Sequence, residues 1–308
     1  YFISKKSHNE KAGIIAAALL SVTMGFIFHA HLSTNDVPVT FFITLSLLFC
    51  IQFVHSNNYR FFFLATLISG LSTSTKYTAA IIIFPIILSY FINKRLSSIT
   101  ISIIFDKRIL IGVIIFLFGF ILGTPYALLK ISDFKIDVTK VFLSRDTYKG
   151  FVDEGYSWKN NVANLNISLG LPLFTLSLLG LLYSLYKPTK YKIILLSFII
   201  PYFIVIGTFK RDAMRWVLPL IPPLIILTGY LISDMMNHKK KFFKAVFAGG
   251  FLFVFFYSLI YTIVADTVFY TDSRNQAGKW MIENISINST IEHYSAPLRG
   301  YLPYLPKT

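Results

Sequence analysis

The stretch HAHLSTNDVP, residues 29–38, joins two strongly apolar runs, residues 12–28 and residues 39–54. Each run is close to the roughly 20 residues that an α-helix needs to cross the hydrocarbon core of a bilayer. Asp36 therefore stands at the mouth of a membrane helix, with His29, His31 and several smaller polar residues around it. The stretch predicts a polar loop between two membrane spans.

Asp36 is the most informative residue of this loop. An ionisable side chain is costly if it faces lipid, so it normally faces a protein interior or a water-filled cavity. Thr34 or Asn35 can cap a helix that begins near Pro38, and proline suits a first helical turn. Asp36 then lies at the positive end of that helix, which favours the ionised carboxylate. A plain interfacial cap residue is the alternative, and the crowding of polar residues favours function.

Composition excludes an ordinary soluble domain. Hydrophobic residues make up 55% of the chain, charged residues 14%, and the mean hydropathy is +0.64. The apolar residues come in blocks and not with the period of a surface helix or strand, which indicates a polytopic membrane protein. Cys50 is the single cysteine, so it cannot form an intrachain disulfide, and no zinc or haem spacing occurs.

The predicted fold is an all-α membrane bundle with about nine spans. The candidate spans are residues 12–28, 39–54, 59–75, 77–92, 109–122, 167–186, 191–209, 216–232 and 242–264. They form a transmembrane domain over residues 1–265, and residues 266–308 read as the start of a soluble outer domain. Because the chain opens in a basic, loop-like stretch without a methionine, we expect that more of the protein precedes it.

The distribution of charge predicts the orientation. Loops on the side of the N-terminal end carry fifteen Lys and Arg residues against three acids, all in short segments. The other side carries fourteen cations against eleven acids in longer segments. By the positive-inside rule the first side is cytoplasmic. The net charge of +15 is thus a topology signal, and it does not indicate a nucleic-acid partner.

Two outer segments have structure of their own. Residues 123–166 form an unusually long loop whose apolar positions predict one or two amphipathic helices lying over the mouth of a cavity. Its part RDTYKGFVDEGYSW is typical of a mobile loop that covers a substrate, with a solvated connector as the alternative. In the tail, residues 273–284 predict a helix, and residues 290–294 a short strand.

Five stretches together resemble GT-C class membrane glycosyltransferases. They are HAHLSTNDVPVTFF, GLSTSTKYTAAIIIFPI, GTPYALL, RWVLPLIPPL and DSRNQAGKWMIENI, and they follow the order of that class over nearly the whole chain. Within the class, the chain is most similar to polyprenyl-phosphate-sugar protein mannosyltransferases, whose lipid is dolichyl or undecaprenyl, and to aminoarabinose transferases. Oligosaccharyltransferases are a further possibility, although the chain contains no WWDYG-like stretch.

The resemblance implies a reaction on the outer side of the membrane. A sugar passes, with inversion, from a polyprenyl-phosphate donor lipid to a protein, lipid or glycan acceptor. The chemistry needs a carboxylate for the acceptor's proton and cations for the departing phosphate. The principal carboxylate of such enzymes belongs to an earlier loop, so we expect it upstream of residue 1. Asp36 matches the second outer acid, which has a supporting role.

The candidate site residues follow from this match and from the charges at the outer mouth. Asp36 and His31 are the catalytic candidates, and the substrate-binding candidates are His29, Asn35, Lys76, Tyr126, Lys210, Arg211 and Arg215. Lys76 suits a phosphate contact, with snorkelling as the alternative. Lys210, Arg211 and Arg215 around Asp212 suit a phosphate clamp, or else anchor a helix end. No metal ligands are assigned, and a divalent metal cofactor is left open.

Two other functions compete with the transferase. A polytopic transporter or lipid flippase would account for the apolar blocks and for Pro222 and Pro223 inside a span, but it predicts repeated halves, which the sequence lacks. A non-catalytic subunit of a cell-envelope complex is the third. We predict an integral protein of a prokaryotic plasma membrane, with the N-terminal end of the chain in the cytoplasm.

Overall fold

The structure, a computed structural model, describes residues 1–32, 34–94, 106–143, 156–210, 212–286 and 289–290. Within these ranges the chain is built from helices, and no β-strand occurs. The predicted all-α class is therefore confirmed. The helices differ in length and exposure according to whether they pack inside the bundle, lie at its outer end or face the bilayer.

The helices number fifteen in the described ranges. They are α1 (Phe2–Ser7), α2 (Glu10–Ser21), α3 (Met24–Ala30), α4 (Asp36–Ser56), α5 (Tyr59–Thr75), α6 (Ile83–Lys94), α7 (Lys107–Gly123), α8 (Tyr126–Leu129), α9 (Ile131–Leu143), α10 (Trp158–Leu169), α11 (Leu171–Tyr186), α12 (Lys190–Gly207), α13 (Ile221–Met236), α14 (Lys241–Tyr270) and α15 (Ser273–Asn284). Two 3-10 segments, Tyr77–Ile82 and Met214–Leu220, run directly into α6 and α13.

Eight of the nine predicted spans coincide with a helix, with a helix and the 3-10 segment before it, or with a bent pair of helices. By length and composition, five described helices can cross a bilayer, and the number rises to seven if each of two bent pairs counts as one span. The first pair, α2 and α3, bends by 52°. Helices α5 and α7, of 17 residues each, account for the two remaining predictions. The protein is an integral membrane protein.

Helix α13 lies at the centre of the bundle. Nearly all its residues are buried, and it packs against α2, α11, α12 and α14. A helix that is apolar all round belongs in such a position. Glycine allows its neighbours to come close: a Cβ at Gly180 would lie 2.8 Å from the backbone of Thr228, and one at Gly229 would lie 2.8 Å from the carbonyl of Ala12.

Helices α5 and α7 pack backbone to backbone. A Cβ at Gly70 would lie 2.2 Å from the carbonyl oxygen of Phe116, and one at Gly119 would lie 2.4 Å from that of Leu67. Small residues at helix contacts give this kind of approach in membranes. The contact explains why residues 59–75 form a full helix although their second half is rich in Ser and Thr. The helix ends at Thr75 and places Lys76 at the end of the bundle that the distribution of charge predicts to face outward. We call this the outer end and the opposite end the inner end.

The predicted span at residues 167–186 is wrong in its first part. The chain turns by 116° between α10 and α11, at Gly170, whose φ is +72°. Glycine adopts this left-handed conformation without the steric cost of a Cβ. Residues 167–169 thus complete α10, which begins at Trp158, and only α11 runs on as the predicted span.

The outer segments agree with the sequence where the structure describes them. Helix α9 occupies the predicted amphipathic stretch, and α15 coincides with the predicted tail helix. Most of the proposed covering loop lies outside the described residues, as does the predicted strand except for Thr290. The soluble outer domain stays a prediction.

Candidate functional site

The site forms where α4 begins. Asp36 is the first residue of this helix, and only 2% of its side chain is exposed. Pro38 falls in the first turn, as predicted. Asn35 occupies the predicted N-cap position, but its side chain makes no capping bond. Its Nδ2 donates instead to the carbonyl oxygen of Thr75, at 2.8 Å, and so ties the start of α4 to the end of α5.

Lys76 is the first cation of the site. It is the C-cap of α5, and its Nζ lies 2.5 Å from Oδ1 of Asp36. The ammonium also lies 5.8 Å from the ring centroid of Trp216, within the range of a cation–π contact. Burial lowers the pKa of Lys76, and the neighbouring Asp36 carboxylate opposes this shift. The lysine points inward, so it does not snorkel.

Arg215 is the second cation. It lies in the 3-10 segment Met214–Leu220, and its Nε is 3.6 Å from Oδ2 of Asp36. The segment is held from the opposite side, because the buried Tyr202 of α12 donates its hydroxyl to the carbonyl oxygen of Trp216, at 3.1 Å. Unlike Lys76, the Arg215 side chain is 49% exposed. It therefore keeps donors that face outward.

His29 completes the inner wall. It belongs to the last turn of α3, is buried, and has Nδ1 at 2.9 Å from the carbonyl oxygen of Gly25. A carbonyl only accepts, so Nδ1 carries the proton, and in the neutral ring Nε2 is an acceptor. The hydrogen bond to Gly25 therefore fixes the orientation of the His29 ring.

The three charged residues leave a surplus of positive charge. One carboxylate faces one ammonium and one guanidinium, which gives a net charge of +1. Both carboxylate oxygens are engaged, so Asp36 orients the cations and is not a free base. The arrangement suits a singly charged anion such as a phosphodiester. It does not suit a metal at Asp36, and the described part of the chain contains no group of three or more His, Cys, Asp or Glu that could hold one.

The other candidates lie apart from Asp36 or outside the description. His31 Nε2 lies 3.1 Å from Oδ1 of Asp266 on α14, and its ring contacts Phe269. Tyr126 begins α8 and is 62% exposed. Lys210 is exposed on the turn after α12, while Arg211 lies outside the described residues. The roles predicted for these four residues stay predictions.

Sequence reasoning missed three residues near the site. Tyr202 and Trp216 shape the segment that carries Arg215, and Asp266 takes His31 as its partner. The motif RWVLP gave a signal for Trp216, since an aromatic ring beside an arginine at a membrane mouth is typical of a cation site. Tyr202 and Asp266 gave no such signal, because each is a single polar residue in or beside an apolar run.

Comparison with known proteins supports the class of protein that the sequence indicated. Residues 1–121 match the family model described as dolichyl-phosphate-mannose-protein mannosyltransferase. This match contains Asp36 and Lys76 and ends before Arg215. An uncharacterized protein of Aquifex aeolicus (strain VF5) is 21% identical over 251 residues, which is 80% of this chain and 48% of that protein.

A solved structure shares the fold. The crystal structure of an Archaeoglobus fulgidus oligosaccharyltransferase in its apo form superposes with a TM-score of 0.59 at 15% identity, over 96% of this chain and 48% of that one. The chain thus spans about half the length of the proteins that it matches. Together, the family match and the shared fold confirm the resemblance to GT-C class membrane glycosyltransferases.

Proposed function

We propose that the chain is the membrane part of a glycosyltransferase that moves a sugar from a polyprenyl-phosphate donor to a protein, lipid or glycan acceptor. The observation that carries the proposal is the Asp36 carboxylate, buried at the mouth of the bundle between Lys76 and Arg215. Two cations oriented by one carboxylate, with a surplus of one positive charge, match the need of a phosphate leaving group for charge stabilisation. The repeated halves that a transporter predicts do not occur in the sequence.

The charges match the proposed donor. A lipid-linked sugar phosphodiester carries one negative charge, equal and opposite to the net charge of the three residues. When the bond between the anomeric carbon and the phosphate oxygen breaks, the electron pair stays on the phosphate, which gains a second negative charge. Arg215 and Lys76 are placed to stabilise this charge, and arginine can do so with two parallel hydrogen bonds. Asp36 holds both cations in position.

The acceptor's proton needs another carboxylate. In one inverting displacement, the acceptor oxygen attacks the anomeric carbon from the face opposite the phosphate, and its proton passes to a general base. Asp36 is a poor candidate because both its oxygens face cations. We assign the base to a residue outside the Asp36, Lys76 and Arg215 group.

The reaction is proposed for the outer side of a prokaryotic plasma membrane. Asp36, Lys76 and Arg215 lie at the ends of α4, α5 and the Met214–Leu220 segment, whereas the short basic loops follow the opposite ends of the helices. The positive-inside rule makes those loops cytoplasmic. A lipid-linked donor would present its phosphate at the outer mouth while its tail stays in the bilayer.

The two prolines that favoured a transporter or flippase have another explanation. Pro222 and Pro223 occupy the first turn of α13, directly after the Met214–Leu220 segment. Proline is favoured at this position because the first amides of a helix have no partner within it. The two prolines therefore begin a helix and do not break a span at mid-membrane.

Sugar transfer by the full-length protein is the direct test. The purified protein is supplied with radiolabelled polyprenyl-phosphate sugars and a membrane extract as acceptor, and wild type is compared with Arg215→Ala. Loss of the guanidinium should lower transfer by about 100-fold, the usual effect of removing a donor to a developing anion. Arg215→Lys should retain part of the activity, since the charge remains but the paired donors do not.

Arg60→Ala is the matched control, because Arg60 is an exposed arginine at the opposite end of the bundle. It should transfer sugar at the wild-type rate. Wild-type transfer by Arg215→Ala would remove the cation site from the mechanism. No transfer by wild type with any donor, together with lipid or substrate flux in proteoliposomes, would establish the transporter instead.

A further inference from the structure

Helix α10 covers the end of α12, just before the turn that leads to Arg215. Ser157, next to the start of α10, donates its backbone amide to the carbonyls of Gly207 and Phe209, at 3.1 Å each. Its hydroxyl and the amide of Asn161 both donate to the carbonyl of Ile206, at 2.9 and 3.2 Å. Both side chains are buried. The last carbonyls of α12, which lack partners in their own helix, thus receive them from α10.

Ring packing reinforces the same junction. A Cβ at Gly207 would lie 2.4 Å from the indole of Trp158, so glycine is needed for this approach. The Trp158 ring also packs edge-on against Phe203 of α12, with centroids 5.6 Å apart. The start of α10 and the end of α12 therefore move as one body.

Two asparagines extend this contact to the turn itself. Asn160 Nδ2 donates to Oδ1 of Asp212, at 3.2 Å, and Asn164 Nδ2 donates to Oδ2, at 2.8 Å. The two asparagines lie four residues apart, so they share one face of α10. Asp212 stands three residues before Arg215. Its carboxylate accepts from two neutral amides, while Arg215 faces Asp36.

We propose that Asn160 and Asn164 of α10 are positioning residues that act through Asp212 to direct Arg215 toward the anion site. Asp212, three residues before Arg215, would otherwise compete with Asp36 for the guanidinium. Amide donors engage that carboxylate without adding charge, so the guanidinium keeps its orientation and the site keeps its surplus charge. The inference deepens the proposed function and rests on it for the role of the anion.

Reversing the hydrogen bond between positions 164 and 212 tests the proposal. Asn164→Asp alone sets two carboxylates against each other, and Asp212→Asn alone leaves one acceptor oxygen for the two asparagine donors. We expect each to raise the KM for the donor by about fivefold and to lower kcat as well, because Arg215 stabilises the charge that develops on the leaving phosphate. In the double variant Asn164→Asp/Asp212→Asn the donor and acceptor are exchanged, so the hydrogen bond forms again and KM should return to near the wild-type value.

A second readout needs no donor. The sequence has three tryptophans, so Trp158→Phe and Trp280→Phe leave Trp216, next to Arg215, as the sole fluorophore. Phenylalanine at position 158 keeps an aromatic ring against Phe203, and sugar transfer by this background at the wild-type rate shows that the junction is intact. In this background Asn164→Asp and Asp212→Asn should each shift the emission maximum of Trp216, and the double variant should restore the original maximum. Asn237→Asp is the control, since it makes the same change at an exposed asparagine at the other end of the bundle.

The outcomes separate this inference from the proposed function. Unchanged KM and unchanged Trp216 emission in both single variants would overturn it. A lower KM in Asp212→Asn, without rescue in the double variant, would also overturn it, because Asp212 would then act by repelling the donor. If Trp216 responds and recovers as expected but wild type transfers no sugar, α10 positions the turn and the proposed function fails.

Discussion

Two acidic residues at opposite ends of the bundle have different surroundings. At the inner end, Asp234 of α13 has Oδ1 at 2.7 Å from Nε2 of His8 and Oδ2 at 2.6 Å from the hydroxyl of Tyr183. At the outer end, Asp36 has each oxygen facing a cation, Lys76 or Arg215. Both acids join elements that are distant in the chain, yet only the outer one leaves positive charge in surplus.

The difference separates a structural acid from a functional one. The Asp234 group fixes α1 and α11 to α13, and its partners are a phenol and an imidazole that stacks on Tyr230, with ring centroids 4.8 Å apart. The Asp36 group brings together two like charges that would repel without the carboxylate between them. Such a group costs free energy to assemble, and it is stabilised most when an anion binds. Asp36 is buried whereas 29% of the Asp234 side chain is exposed, and the excess charge marks the site.

Removing the Asp36 charge should have the largest effect on stability and on sugar transfer. Asp36→Asn leaves Lys76 and Arg215 side by side without a counter-ion, so we expect a loss of about 3 kcal/mol in the free energy of unfolding. Sugar transfer should fall to background. Thermal unfolding in detergent and the transfer assay measure the two effects.

The double variant Asp36→Asn/Lys76→Met distinguishes stability from function. It removes the acid and one cation together, so most of the stability should return, whereas transfer should not. Recovery of transfer along with stability would mean that Asp36 and Lys76 only hold the fold together, as Asp234 does.

A moderate loss of stability is expected when Asp234, the acid at the inner end, is changed. Asp234→Asn keeps the shape of the side chain but weakens its hydrogen bonds to His8 and Tyr183, so the protein should lose about 1–2 kcal/mol of stability. Transfer per folded molecule should stay at the wild-type value, because this group lies far from the anion site. A loss of transfer at unchanged stability would contradict the distinction between the two ends.

The smallest expected effect is the dependence of kcat/KM on pH. Burial lowers the pKa of Lys76, so its ammonium loses the proton at a lower pH than an ordinary lysine does. As pH rises through that pKa, the site loses one positive charge, and kcat/KM for the donor should fall by about fivefold. Lys76→Arg should abolish this alkaline loss, since a guanidinium stays charged. A wild-type profile that is flat up to the ordinary lysine range would show that the pKa of Lys76 is not lowered in the free protein.

Much of the fold could be predicted from the sequence. Blocks of apolar residues determine where helices can cross a bilayer, and eight of the nine predicted spans coincide with a helix, with a helix and the 3-10 segment before it, or with a bent pair. The prediction for residues 167–186 overlooked a signal for the break, because Pro172 lies two residues after Gly170 and proline is favoured in the first turn of a helix. The angle of the turn depends on how α10 packs, which the sequence does not give.

The candidate site was predicted in part. Asp36, Lys76 and Arg215 were each selected because a charge at a membrane mouth needs a partner, but the sequence does not say which partner. It grouped His31 with Asp36, whereas the structure pairs His31 with Asp266, more than two hundred positions away in the chain. It assigned Asp212 to the cations, whereas the asparagines of α10 bind it.

The order of apolar and polar residues was enough to predict which segments enter the bilayer, since the transfer of apolar side chains from water is a local property that adds along the chain. The helices, their order and the end at which the polar residues gather follow from it. Which charges meet depends on tertiary packing. The partners of Asp36 come from 40 and 179 positions further along the chain, as their residue numbers show, and a pairing at such distance depends on how the helices pack. Close approaches at Gly70, Gly119 and Gly207 leave no room for a Cβ and so favour this packing.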